Sequence, residues 1–156
     1  MNITSVSLAL HVLSVVVWVG GMFFAHVCLR PATTTVLEPP QRLSLWVQTF
    51  ARFFPFVWLA IIFILFSGYL MLFTTWGGFG QTPIYVHIMN AFGIGMMLIF
   101  MHVFFVPYKR LREAVAIQDW PEGGKQLAKI RHLVGVNLSL GIIVILVATV
   151  GRALVI

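Results

Sequence analysis

The stretches HVLSVVVWVGGMFFAH (residues 11–26) and HIMNAFGIGMMLIFMH (residues 87–102) decide the fold. Each opens and closes on a histidine, fifteen positions apart, with glycines between and no acidic or basic side chain but those histidines. On an α-helix that gap rises roughly 22 Å and turns about 60° past four full turns. His11 and His26 therefore share one broad face near opposite sides of a bilayer, and so do His87 and His102.

Composition puts both stretches in lipid. The 156 residues are 60% hydrophobic and 9% charged, whereas soluble domains carry about 25% charged residues. Mean hydropathy is +1.01. A single domain, residues 1–156, suits this length. Four segments are long enough to cross about 30 Å of hydrocarbon: residues 6–29, 54–74, 84–108 and 133–153. The first lacks the basic n-region of a signal peptide and exceeds the length of its apolar core, so it reads as a retained span. Cys28 stands alone and forms no internal disulfide.

Charge sets the expected orientation. Arg30, Arg42 and Arg52 fall in the first connection, and Lys109, Arg110, Arg112, Lys125, Lys129 and Arg131 in the third. Only Arg152 lies elsewhere, and residues 75–83 hold no cation. The positive-inside rule makes the basic connections cytoplasmic and both termini periplasmic. The net charge of +6 thus marks topology, and no nucleic-acid partner is expected. Pro39, Pro40 and Pro121 suit first helical turns, so spans two and four should begin as helices before the membrane. The expectation is an all-α, up-down-up-down four-helix bundle of the bacterial inner membrane, built as a weak tandem repeat. Spans one and three would run parallel, placing His11 level with His87 and His26 level with His102.

Imidazoles in a bilayer need polar partners and are functional candidates. Two neutral imidazoles suit haem iron, and bis-histidine ligation favours electron transfer over oxygen binding. The expected ligand pairs are His11 with His87 and His26 with His102, holding two b-type haems, or one at the outer pair. Gly20, Gly21, Gly93 and Gly95 would leave room. Trp18, Phe23, Phe24, Phe92 and Phe100 would border the porphyrins. Arg30, Arg52, Arg110 and Arg131 would serve inner propionates, and Arg152 the outer ones. Such a cytochrome would pass electrons between quinol or quinone and a small one-electron partner such as superoxide, as an oxidoreductase. Four-helix superoxide oxidases offer a fold analogy. A homo-oligomer is compatible with the pattern. Met22, Met71, Met89, Met96, Met97 and Met101 support a copper alternative, because thioethers and imidazoles bind Cu(I). Methionine is also ordinary core filler. His132 reads as interfacial, as do Trp46, Trp76 and Trp120.

The frame His11-x6-Trp18-x-Gly20-Gly21-Met22-Phe23, followed by the Arg30-Pro31 turn, resembles the small membrane proteins of the copper resistance protein D family. So does His87-Ile-Met-Asn-Ala-Phe-Gly through His102-Val-Phe-Phe-x-Pro-Tyr, with the basic tail Lys109-Arg110-Leu111-Arg112. The family name implies copper handling. His11, Trp18 and His87 also resemble, more distantly, the bacterial membrane protoporphyrinogen IX oxidase, which implies a single haem and an activity in porphyrin synthesis. Met89 stands where that family has lysine, and His26 lies near where it has arginine.

Overall fold

The computed structural model describes residues 2–154. Its first helix, α1 (Ile3–Phe23), passes through a π-helical segment, Phe24–Leu29, into α2 (Arg30–Val36). Then follow α3 (Pro39–Trp76), a 3-10 turn at Phe79–Gln81, α4 (Ile84–Phe105), α5 (Pro107–Ala116) and α6 (Trp120–Leu154). Four rods, α1–α2, α3, α4–α5 and α6, are each long and apolar enough to span a membrane. The chain is an all-helical, multi-pass membrane protein. Helices suit lipid because they satisfy the backbone internally where no water is present.

Proline explains where the rods bend. Pro31 has no N–H to donate, and its ring crowds the carbonyl four residues back. The helix widens just before it, with the Arg30 N–H bonding the Ala25 carbonyl, so the rod continues to Val36 rather than turning at Arg30-Pro31. Pro107 acts more sharply. Val106 leaves helical geometry at φ −111° and ψ −81°, and the expected third span divides into α4 and α5. The 38 residues of α3 begin at the Pro39-Pro40 pair. That helix is about 57 Å long, so it projects well beyond the hydrocarbon, as expected for spans two and four.

The rods alternate in direction. One cavity is bordered by Thr4 of α1, Trp76 of α3, Tyr85 of α4 and Arg152 of α6, so those four ends lie together. The basic connections meet at the other end, called here the basic end. The chief helix pairings are α1 with α3 and α4 with α6, so each half of the repeat forms its own pair. At the basic end, α5 packs on α6, with the buried Leu111 and Ala114 beside Gly123.

Aromatic rings fill the basic half. Phe54 lies 5.0 Å from Phe50, 4.8 Å from Tyr108 and 5.3 Å from Phe100, centroid to centroid. Trp46 closes the column below Phe50 at 5.1 Å, and Trp18 caps Phe100 at 6.1 Å. Trp46 is therefore packed in the core, 3% exposed. Such ring pairs contribute about 0.5–1.5 kcal/mol each beyond area burial.

Gly21 serves the packing of this half. A Cβ there would overlap the ring of Phe53 on α3, while one on Gly20 would meet nothing within 4 Å. Gly21→Ile should lower stability in detergent by about 1–3 kcal/mol, the usual cost of overpacking. Gly20→Ile should leave it nearly unchanged. Thermal or denaturant unfolding of the two variants checks the contrast.

Candidate functional site

Above Trp18 the aromatic column stops and the bundle is hollow. The cavity measures about 410 Å³ and draws its walls from all four rods. That volume lies within the range of about 300–1,000 Å³ typical of ligand pockets. Its α4 wall is Met89, Asn90, Gly93, Met96 and Met97, and Met71 faces it from α3. Gly93 widens this wall, since a Cβ there would meet nothing within 4 Å. Tyr69 donates to Asn90 Oδ1 at 3.3 Å, which ties α3 to α4.

His11 enters the same cavity from α1. Its Nδ1 lies 3.0 Å from Ser67 Oγ, and Ser67 is fully buried. Ser67 has one hydroxyl hydrogen, which it gives to the Phe63 carbonyl one turn back. Its oxygen must then accept from His11, so the imidazole proton is assigned to Nδ1. Nε2 is then the unprotonated nitrogen and has no side-chain partner among the described residues, while the ring also meets the Ile64 backbone. A metal-binding imidazole is commonly oriented in this way, through a bond at its other nitrogen. Gly68 completes the arrangement, because a Cβ there would sit 3.2 Å from His11 Cε1.

The other histidines do not join it. His87 is absent from the cavity lining and lies beside Phe79, with ring centroids 6.2 Å apart. His26 packs on α6, its Cε1 3.2 Å from where a Gly135 Cβ would be. It shares a separate cleft with Arg30, Arg131 and His132. His102 is exposed on α4. The space between the rods at the expected His26–His102 level is occupied by Phe50, Phe54, Phe100 and Tyr108. Among the described residues no three His, Cys, Asp or Glu side chains gather closely enough to hold a metal ion.

The remaining expected residues divide likewise. Trp18 and Arg152 border the cavity, one at its floor and one near the chain ends. Arg52 and Arg110 are exposed and do not line it. The space at Gly21 belongs to Phe53. Ser67, Gly68, Tyr69 and Asn90 are not among the site residues expected from sequence. The methionine wall does carry a signal: 89, 93 and 96, like 90, 93 and 97, follow the spacing of one helix face.

These features define a four-helix membrane protein with an imidazole and several thioethers around an apolar cavity. The family model for copper resistance protein D matches residues 47–150, and the chain belongs to that family. The match takes in His87, His102 and the methionine wall, while His11 and His26 precede it. No curated protein and no solved structure matches the chain. The likeness to protoporphyrinogen IX oxidase therefore rests on the sequence frame alone.

Ser67→Ala should release the His11 tautomer. Nitrogen NMR of ring-labelled protein should show an unprotonated Nε2 in the parent and a mixture of tautomers in the variant. A protonated Nε2 in the parent would overturn the assignment.

Proposed function

We propose that the chain handles copper, taking Cu(I) as cargo into the outer cavity. The observation that carries this reading is the meeting of one bare imidazole nitrogen with the side chains of Met71, Met89, Met96 and Met97 around a single space. Cu(I) is soft and monovalent, and neutral thioether and imidazole donors suit it without placing a carboxylate in lipid. Membership of the copper resistance protein D family supports the same reading. By the positive-inside rule the cavity would open toward the periplasm.

One observation favours a second reading, a single b-type haem. Arg152 stands beside the cavity, where a cation hinders a metal ion but would suit a propionate. His11 would help hold the haem iron. His87 is not in the lining, so the fit is to one histidine and a methionine sulfur rather than to the bis-histidine pair expected from sequence. A haem there would supply one-electron chemistry toward quinol or a small oxidant.

Purified protein separates the two. Cu(I) titration against a colorimetric chelator should show one bound ion and no Soret absorbance. His11→Ala, and Met96→Leu with Met97→Leu, should each weaken Cu(I) by about tenfold or more, the scale seen when ligand support is lost. Met22→Leu, buried outside the cavity, should not. A Soret band without Cu(I) uptake would overturn the copper reading in favour of haem.

A further inference from the structure

The cleft around His26 presents the opposite chemistry. It measures about 490 Å³ and lies at the basic end between the π segment and α6. Its polar side chains are His26, Arg30, Arg131, His132 and Ser139, and no carboxylate lines it. The charges of Arg30 and Arg131 act on His26, and those of Arg30 and Arg42 act on Arg131. Among the described residues the only ion pair is Lys125 with Glu122. Asp119 caps the start of α6 through the Glu122 N–H at 3.1 Å, so the nearby acids on that helix have partners of their own. Two guanidinium groups thus line the cleft beside two imidazoles, with no carboxylate in the lining to balance them.

The backbone is shaped to form this cleft. The π segment is the one departure from α geometry among the described residues of the first rod, and such segments gather at functional sites. It places His26 against α6, and Gly135 supplies the notch that receives the ring. A metal cation is disfavoured there by the arginines. An anion is favoured, and the planar forks of Arg30 and Arg131 match phosphate oxygens. The cleft lies at the end that carries the basic connections, and basic pockets between spans on the cytoplasmic side bind phospholipid headgroups.

We infer that the Arg30, Arg131, His26 and His132 cleft is a binding site for a phosphate-bearing anion, supplied by an acidic phospholipid headgroup or by soluble phosphate. The site is separate from the outer cavity and stands whether that cavity takes copper or haem.

The full chain in neutral detergent tests this. Phosphatidylglycerol, phosphatidylcholine and inorganic phosphate are offered separately, with bound lipid read by native mass spectrometry and binding by the shift in thermal midpoint. The parent should hold phosphatidylglycerol about tenfold or more tightly than phosphatidylcholine, as expected when two charge-assisted contacts form. Arg30→Gln with Arg131→Gln should abolish that preference. Lys109→Gln with Arg112→Gln removes equal charge elsewhere at the basic end and should preserve it. If the double variant fails to fold, Arg131→Lys keeps the charge, loses the fork, and should still weaken binding several-fold. Stabilisation by phosphatidylglycerol that phosphate cannot displace identifies the lipid as source. Stabilisation by phosphate, abolished in the same variant, identifies the soluble ion. No preference for either anion, or equal loss in the control pair, would overturn the inference.

Discussion

Phe54 is in ring contact with Phe50, Phe100, Phe104 and Tyr108, and through them with Trp46 and Trp18. This column joins α1, α3, α4 and α5 at the basic half of the bundle. In lipid, burial of apolar side chains supplies little association between helices, so packing contacts carry more of the burden. Interlocked rings are an effective form of such contact. The column ends at Trp18, and the space beyond it becomes the cavity. The two ends of the bundle differ because one is filled and the other is not.

Much of this architecture is legible in the chain. Runs without acidic or basic residues mark the four rods, the cations gather in alternate connections, and Pro39-Pro40 marks the start of a helix that begins before the membrane. Depth is legible as well, since fifteen residues fix a rise along any regular helix. Rotation about the axis is harder to read. His11 and His26 share a face only if the helix between them stays regular, and the π segment at Phe24–Leu29 breaks that premise. Nothing in spacing alone says that His102 faces outward while Phe100 and Val103 turn inward.

Ser67 shows a second limit. It lies 56 residues from His11, on another rod, and its meaning depends on where its hydroxyl hydrogen goes. Serine in a membrane helix commonly bonds back to its own turn. Here that habit leaves the oxygen free to accept, which makes an ordinary residue fix a tautomer. Gly68 adds the space for the ring, and neither effect has a one-dimensional signature. The glycines of the histidine frame are less uniform than their spacing suggests. Gly21 admits Phe53, Gly93 opens the cavity, and Gly20 faces outward.

The same side chain is set to two uses by its neighbours. His11 has a neutral hydroxyl at Nδ1 and borders a cavity that thioethers also line. His26 lies beside Arg30 and Arg131 with no carboxylate in the cleft, so the local field there is positive. They open and close one sequence frame, and their chemistry differs. A serine one rod away determines the first, and a widened helical turn beside two arginines determines the second. The duplicated histidine spacing therefore locates two depths in the membrane, while the residues packed around each ring decide what each depth can bind.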